Sequence, residues 1–128
     1  MATVPDDLQF TAEHEYVRRT AEENVVEVGI TDYAQSELGD VVFVELPKVG
    51  DSYDRLQVFG TIEAVKAVSE LFSPVAGEVV AVNDELDTSP ALVNTDPYGK
   101  GWMIRIRLED AAELDGLLDA AAYRDLID

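Results

Sequence analysis

The amine of Lys66 is the side-chain group best placed in this sequence to do chemistry. Lys48, Lys66 and Lys100 are the only lysines in the 128-residue chain, and Lys66 alone stands between two apolar, strand-like segments, residues 56–65 and 67–72. An exposed lysine at the tip of such a hairpin can be acylated, which removes its charge and carries a prosthetic group on a long flexible arm. An ordinary solvated lysine at a turn fits the same spacing, and spacing alone favours that simpler interpretation.

The sequence has few residues of the types that other side-chain chemistries need. The chain has no cysteine and a single histidine, His14. The first fact excludes disulfides, thiolate metal sites and a cysteine nucleophile, and the second argues against a histidine metal cluster or a Ser/His/Asp triad. We therefore expect no enzyme activity, no catalytic residues and no metal site. Any redox chemistry must come from a group that is bound or attached.

The chain is strongly acidic. Its 27 Asp and Glu residues outnumber its 9 Lys and Arg residues, and the formal net charge is −18. Such a surface repels phosphate backbones and anionic lipids, so nucleic acid and membrane are disfavoured as partners. The excess of acids indicates a halophilic source, because at about 1 M salt the Debye length falls to about 3 Å and self-repulsion is screened. Residues 1–7 lack a basic or apolar signal region and no segment reaches transmembrane length, so we expect a cytoplasmic protein.

Alternating apolar residues and turn signals predict many short strands and a few short helices, an arrangement typical of a small β-sandwich or barrel. The predicted strands are residues 8–11, 14–19, 24–30, 41–46, 56–65, 67–72, 78–82 and 102–108. A short helix is predicted over residues 31–39, with Thr31 as its N-cap and Gly39 as its stop. Two more helices are predicted over about 110–127, the second capped by Asp119.

The same periodicities predict which side chains face the core. In the strands, the residues expected inside are Val58, Ile62, Ala64, Val68, Trp102, Ile104, Ile106 and Leu108. Val42, Val44 and Leu46 are expected to share one face of their strand. In the last helix, Ala122, Leu126 and Ile127 are expected to be buried. Asp110 with Glu113 resembles a capping box, with Asp in the place of Ser or Thr.

The segment around Lys66 carries a specific motif, Gly60-Thr61-Ile62-Glu63-Ala64-Val65-Lys66-Ala67-Val68-Ser69-Glu70-Leu71-Phe72-Ser73-Pro74-Val75-Ala76-Gly77-Glu78-Val79. It resembles the lipoylation segment of the glycine cleavage system H protein family. Further motifs lie in the family's order at His14-Glu15-Tyr16-Val17, residues 29–35 and 38–47, Asp96-Pro97-Tyr98 and Gly101-Trp102-Met103-Ile104. Tyr16 stands where the family usually has Trp, which we interpret as a tolerated aromatic exchange. The resemblance spans roughly residues 8–127.

This resemblance implies a mainly β fold, a small barrel-sandwich hybrid of the lipoyl/biotinyl kind, with two antiparallel sheets, short helices and a C-terminal helical segment. Residues 1–128 would form a single lipoyl-carrier domain, with the lipoyl hairpin at about 56–80 and the last helices at about 110–127. Lys66 matches the lysine that receives lipoic acid in an amide bond, from a lipoate ligase or a lipoyl transferase.

The implied role is that of a non-catalytic, monomeric carrier of an aminomethyl group in glycine cleavage. Its partners would be glycine decarboxylase (P protein), aminomethyltransferase (T protein) and dihydrolipoamide dehydrogenase (L protein), whose cofactors supply the difficult chemistry. Glu15 and Glu70 are candidates to meet the cationic amine of the loaded arm. With 27 acids in the chain, a merely solvated role is the simpler interpretation for either residue.

Four other functions remain as alternatives. Biotin carriers usually have Met on both sides of the lysine, where this chain has Val65 and Ala67. Lipoyl domains of 2-oxoacid dehydrogenases usually have Asp before the lysine and lack the motifs at both ends. An H-like lipoyl donor in lipoate trafficking would have almost the same sequence, whereas an unmodified acidic binding module would need no lysine at all.

Overall fold

The computed structural model describes residues 2–128, and within them the chain forms nine β-strands, four α-helices and one 3₁₀ helix. The strands are β1 (Gln9–Phe10), β2 (Glu15–Arg19), β3 (Val25–Ile30), β4 (Val41–Glu45), β5 (Ser52–Tyr53), β6 (Val58–Ala64), β7 (Val68–Phe72), β8 (Gly77–Val82) and β9 (Ile104–Leu108). The helices are α1 (Asp32–Leu38), α2 (Glu85–Thr88), α3 (Leu92–Thr95), the 3₁₀ helix (Ala111–Gly116) and α4 (Ala120–Ile127). None of the helices within residues 2–128 combines the length and the apolar character needed to cross a membrane.

The strands form two antiparallel sheets, which confirms the expected mainly β fold with short helices and a C-terminal helix. The larger sheet has the order β1-β2-β3-β9-β8-β5, and the smaller sheet has the order β4-β6-β7. The main core takes side chains from both sheets, among them Val28 and Ile106 from the larger and Val44, Ile62 and Leu71 from the smaller. The smaller sheet, which carries Lys66, is therefore anchored on the larger one by apolar burial.

A second, smaller core fixes the C-terminal helix. The ring of Tyr123 in α4 stacks on Phe10 with 4.6 Å between the ring centroids, and both side chains are fully buried. Asp119 caps α4 as predicted, accepting from the Ala122 backbone N–H at 2.8 Å. The predicted inner face of this helix is wrong for two of its three residues, and among them only Ile127 packs against this core. Ala120 and Tyr123 are the buried residues, since they share one side of the helix, whereas Ala122 and Leu126 are exposed and Ile127 is only partly buried.

A β-bulge in β4 changes the predicted facing of that strand. Val41 pairs with Ala64 and Phe43 pairs with Glu63, so Val42 is an extra residue in the ladder. A bulge shifts the alternation by one residue, and both Val42 and Phe43 therefore point outward. The prediction that Val42 shares one face of the strand with Val44 is wrong for this reason.

The hairpin of β6 and β7 is confirmed, but two of its expected inner residues are not. Ile62 and Ala64 are buried as predicted, whereas Val58 and Val68 are exposed. A second irregularity lies between Val58 and Gly60, and it turns Phe59 inward in place of Val58.

Trp102 also lies outside the buried core. Strand β9 begins at Ile104, two residues later than predicted, and Trp102 remains partly exposed before it. The Arg105 guanidinium lies 4.2 Å from the Trp102 ring centroid, a cation–π contact that covers one face of the indole. Met103 occupies the core position instead.

The predicted ends of α1 are confirmed, but the predicted capping box of Asp110 with Glu113 is not. Thr31 caps α1 by accepting from the Ala34 N–H at 3.2 Å, and Gly39 ends the helix with φ +85°, both as predicted. Glu113 does not close a capping box with Asp110, because its carboxylate accepts from the Ala76 N–H at 3.2 Å.

Candidate functional site

Lys66 lies at the exposed tip of the β6–β7 hairpin. The Ala64 N–H donates to the Ala67 carbonyl oxygen at 2.7 Å, which closes a tight turn with Val65 and Lys66 at its centre. Buried Ile62 and Leu71 anchor the two strands behind this turn. The sequence therefore places an exposed amine on a short turn whose base is held by the core.

The tip is also tied to the end of α1. The Val65 N–H donates to the Asp40 carbonyl oxygen at 3.0 Å, and the stem of Lys66 lies across Gly39. A methyl group on Gly39 would lie 3.2 Å from Lys66 Cε, so a side chain there would crowd the lysine. Gly39 thus serves two needs, the positive φ at the helix end and the room for the lysine stem.

Asn94 holds the segment that follows α1, a role that no sequence pattern indicated. Its side-chain amide donates to the Gly39 carbonyl oxygen at 2.8 Å and to Gln35 Oε1 at 2.9 Å. Its Oδ1 accepts from the Val41 N–H at 2.9 Å. Through these three bonds Asn94 fixes the loop against which the Lys66 turn rests.

A cavity of about 300 Å³ opens beside this loop. Its lining combines apolar, acidic and other polar residues. The apolar residues are Ile30, Ala34, Leu38, Ile62 and Leu71, the acidic residues are Glu13, Glu15, Glu37 and Glu70, and the remaining residues are His14, Tyr33 and Ser69. Leu38 lines the cavity and its neighbour Gly39 lies against the lysine stem, so the cavity lies next to the Lys66 turn. An apolar interior with a few polar groups is typical of small-ligand sites.

Glu15 is buried inside this cavity wall, and Glu70 is exposed at its opening. The side chain of Glu15 is only 1% exposed, and it accepts from Thr11 Oγ1 at 2.9 Å and from the Phe72 N–H at 3.4 Å. Burial raises the pKa of Glu15 to about 8, although these hydrogen bonds favour the ionised form. The simpler interpretation of a solvated carboxylate is therefore wrong for Glu15. It agrees with the structure for Glu70, whose side chain is exposed.

His14 ties the cavity to the C-terminal helix. Its Nδ1 lies 2.8 Å from the Tyr123 hydroxyl, which lies 2.7 Å from Thr31 Oγ1. Burial lowers the pKa of His14, and the nearby carboxylates of Glu13 and Glu37 oppose that shift only in part. A neutral imidazole at this position acts as a structural hydrogen-bonding group. Within residues 2–128 no group of three or more His, Asp or Glu side chains is placed to hold a metal ion.

Tyr16 stands at the position where the resemblance leads us to expect tryptophan. Its ring is fully buried over Gly29, where a methyl group would come within 2.7 Å of the ring, and its hydroxyl donates to the Pro97 carbonyl oxygen at 2.8 Å. The hydroxyl is satisfied, so the exchange leaves no unpaired polar group in the interior.

Comparisons with known proteins agree on one family. The family model described as "Glycine cleavage H-protein" matches residues 8–128. The chain is similar to proteins named "Glycine cleavage system H protein" from Chlorobium limicola, with 54% identity over 98% of each chain, and from Mycobacterium avium, with 54% identity over 97% of this chain and 96% of that one. Its fold is similar to the crystal structure of a glycine cleavage system H protein from Mycobacterium marinum, with a TM-score of 0.87, 36% identity and coverage of 95% and 97% of the two chains. This chain belongs to the glycine cleavage H-protein family.

Proposed function

We infer that this chain is the lipoyl carrier of a glycine cleavage system, with lipoic acid attached in an amide bond to Lys66. The observation that carries this proposal is the setting of Lys66, an exposed amine on a short anchored turn beside a cavity with apolar and acidic walls. Family membership supports the role, since the relatives are named glycine cleavage system H proteins. Residues 1–128 act as a single carrier domain, a monomer that works in the cytoplasm.

The chain itself holds the amine of Lys66 in a fixed and exposed position. A lipoate ligase or lipoyl transferase must reach Nζ of Lys66, and the tight turn presents that atom to the solvent. When bound, the lipoyl group supplies a disulfide that can be reduced and can carry an aminomethyl group. The P protein, the T protein and the L protein each act on that arm in turn, so the catalytic groups belong to those enzymes and the chain itself is non-catalytic. Tethering raises the concentration of the arm at every partner within its reach.

The cavity beside the tip fits the arm between these encounters. Its apolar residues suit the hydrocarbon and sulfur atoms of a lipoyl group, and Glu15 and Glu70 suit a positively charged amine on the carried group. Because Glu15 is buried and its pKa is about 8, an amine that enters the cavity favours ionisation of this carboxyl. Arrival of the cargo should therefore release protons from Glu15 at neutral pH.

A substitution at Glu15 tests whether this carboxylate holds the carried amine in the cavity and so slows its loss. Glu15→Gln keeps the size of the side chain and its polar character but cannot become negative. Loss of the aminomethyl group from the isolated loaded carrier should be about tenfold faster in Glu15→Gln than in the wild type, because a buried charge-assisted contact is lost. Glu45→Gln is the control, since Glu45 is exposed on the outer face of β4 and does not line the cavity. An unchanged rate in Glu15→Gln would exclude the docking role.

The alternatives have less support. The relatives are named for glycine cleavage, and no observation favours a lipoyl donor in lipoate trafficking. An unmodified acidic binding module would not need Lys66 at an accessible tip.

The decisive functional experiment is reconstitution of glycine decarboxylation with purified P protein. The lipoylated wild type should support the reaction, and Lys66→Arg should not, because arginine keeps the positive charge but cannot form the lipoyl amide. Lys48→Arg is the matched control and should remain as active as the wild type. Equal activity of Lys66→Arg and the wild type would refute the proposal.

A further inference from the structure

Side chains from three separate segments form a hydrogen-bonded chain at one wall of the cavity. The Tyr123 hydroxyl in α4 lies 2.8 Å from His14 Nδ1 and 2.7 Å from Thr31 Oγ1, and the Thr31 N–H donates to the His14 carbonyl oxygen at 3.0 Å. The backbone of His14 has φ +71°, in the left-handed region that residues with side chains rarely adopt. Such a conformation, held beside a cavity, points to a role for the side chain that it orients.

The direction of these hydrogen bonds follows from the number of protons that the two hydroxyls carry. Thr31 is fully buried, and its Oγ1 accepts from the Ala34 N–H at 3.2 Å. Within residues 2–128 the Tyr123 hydroxyl is the one acceptor in reach of the Thr31 hydroxyl, and a buried donor left without an acceptor costs about 1–3 kcal/mol. Thr31 therefore donates to Tyr123, and the single hydroxyl proton of Tyr123 is directed at His14 Nδ1.

This direction determines the protonation state of the His14 ring. Nδ1 can accept from Tyr123 only when it carries no proton, so the proton of the neutral imidazole lies on Nε2. Nε2 makes no hydrogen bond within residues 2–128 and is not a buried unpaired atom, which leaves the Nε2–H as the polar group that His14 offers to the cavity. Burial raises the pKa of Tyr123 to about 12, so this phenol keeps its proton at neutral pH.

The charged groups around His14 would favour its protonated form. The ionisable groups that face it are Glu13 and Glu15 from its own segment, Tyr33 and Glu37 from α1, Glu70 from β7 and Tyr123 from α4. Carboxylates close to an imidazole stabilise the imidazolium, whereas burial lowers the pKa of His14. The hydrogen bond from Tyr123 acts in the same direction as burial, because an imidazolium has no nitrogen that can accept it.

We propose that Tyr123 is a positioning residue of the cavity, and that its hydroxyl holds His14 as the neutral Nε2–H tautomer and so keeps a positive charge away from the cavity carboxylates. The consequence for the carried group rests on the proposed function, in which the cavity receives a positively charged amine. A protonated His14 would repel that amine and would pair with the carboxylates in its place. The C-terminal helix thus acts on the cavity through a phenol that does not itself line it.

Heteronuclear NMR of the unlipoylated full chain tests the tautomer directly, because His14 is the only histidine in the sequence. At neutral pH the wild type should show an unprotonated Nδ1 and a protonated Nε2, a measurement that needs no substitution. Tyr123→Phe removes the hydroxyl and keeps the ring that stacks on Phe10. In this variant Nδ1 should become partly protonated at neutral pH, and the titration of His14 should move to higher pH.

Tyr98→Phe is the matched control. Its hydroxyl also belongs to a ring packed on the smaller core, but it donates to the Thr3 carbonyl oxygen at 2.7 Å and accepts from the Asp32 N–H at 2.9 Å. Tyr98→Phe therefore loses an equivalent hydroxyl without touching His14, and its imidazole should titrate as in the wild type. Thermal unfolding first shows that both variants are folded.

The loaded carriers test the consequence for the cavity. Loss of the aminomethyl group from the isolated carrier is followed at about pH 6 and about pH 8, on either side of the usual pKa of histidine. Tyr123→Phe should lose the group a few-fold faster than the wild type at the lower pH and at the same rate at the higher pH, where His14 is neutral in both proteins. Tyr98→Phe should match the wild type at both.

A wild-type His14 that carries its proton on Nδ1 would overturn the proposal. Equal rates of loss for Tyr123→Phe and the wild type at both pH values would also overturn it. Failure of the P protein to load the lipoylated wild type would instead refute the proposed function, because the tautomer is measured without the arm.

Discussion

The side-chain stem of Lys66 crosses the backbone of Gly39, and a methyl group on Gly39 would lie 3.2 Å from Lys66 Cε. The two residues are far apart in the sequence, yet the helix end formed by Gly39 is the surface on which the lysine rests. The Asp40 carbonyl oxygen accepts from the Val65 N–H at 3.0 Å and fixes the same arrangement through the backbone. The orientation of the Lys66 side chain therefore depends on a glycine that ends a helix.

Replacement of this glycine should affect both stability and modification. Gly39→Ala places a Cβ at φ +85° and against the lysine stem, and it should lower the free energy of unfolding by about 1–2 kcal/mol. Because the lysine must shift, lipoylation by a lipoate ligase should also slow several-fold. Urea unfolding and the time course of intact mass measure the two effects.

Gly50→Ala is the matched control for that variant. Gly50 has φ +100°, but nothing lies within 4 Å of a methyl group placed on it. Gly50→Ala should therefore show a similar loss of stability and a normal rate of lipoylation. If both variants are lipoylated at the same rate, the contact between Gly39 and Lys66 has no influence on modification.

Glu15 should make the stability of the protein depend on pH. The pKa of Glu15 is raised by burial from 4.5 to about 8, so between these values the folded protein binds more protons than the unfolded chain. Its contribution to the free energy of unfolding is then present below about pH 4.5 and is lost as the pH rises towards 8. Glu15→Gln removes this dependence, and relative to the wild type it should gain up to a few kcal/mol between pH 5 and pH 9.

Chemical denaturation across this pH range measures the difference. Glu70→Gln removes an exposed carboxylate from the opening of the same cavity, and it should keep the wild-type pH profile. Parallel profiles for Glu15→Gln and the wild type would show that Glu15 is ionised in the folded protein at neutral pH.

Glu27 should be the most important charged residue for the larger sheet. Its buried carboxylate accepts from Arg18 Nη1 at 2.9 Å on one oxygen, and from Arg105 Nε at 3.1 Å and Nη2 at 2.9 Å on the other. Glu27→Gln leaves the two guanidinium groups facing each other without a charge between them. It should lower the free energy of unfolding by about 2 kcal/mol in urea titrations.

Glu78 provides the comparison on the same face of the sheet. Its carboxylate lies 3.7 Å from Arg107 Nη1, and both side chains are about half exposed. Glu78→Gln should change the free energy of unfolding by less than about 0.5 kcal/mol. A loss as large as that of Glu27→Gln would mean that burial of the pair is not what matters.

The sequence predicts most of the strands and helices correctly, but it predicts wrongly which side of its strand some residues face. The hairpin around Lys66, the caps Thr31 and Asp119 and the end of α1 at Gly39 follow from local turn and capping chemistry, which neighbouring residues determine. The outward position of Val42 does not follow, because strict alternation does not register an added residue in a ladder. Val68 lies in a regular part of its ladder, where alternation from the buried Leu71 places it outward, so the predicted inner face of β7 is wrong. The exposure of both residues is therefore visible only in the folded chain.

The sequence points to only two of the residues that line the cavity beside Lys66 as candidates for a functional site. The resemblance and their charge make Glu15 and Glu70 candidates, but nothing local in the sequence indicates that one is buried and the other exposed. The bonds from Asn94 to Gly39 and Val41 join residues more than 50 positions apart. Such contacts depend on how the two sheets and the short helices pack together, and only the structure reveals them.

The central claim is that Lys66 alone receives the lipoyl group, and intact-mass measurement tests it most directly. Wild-type protein and the variants Lys66→Arg and Lys48→Arg are produced in a host that lipoylates proteins, and their masses are compared. The wild type and Lys48→Arg should each be heavier than the bare chain by one lipoyl group, and Lys66→Arg should have the mass of the bare chain. An unmodified wild type, or a Lys66→Arg variant that still gains the group, would contradict the assignment.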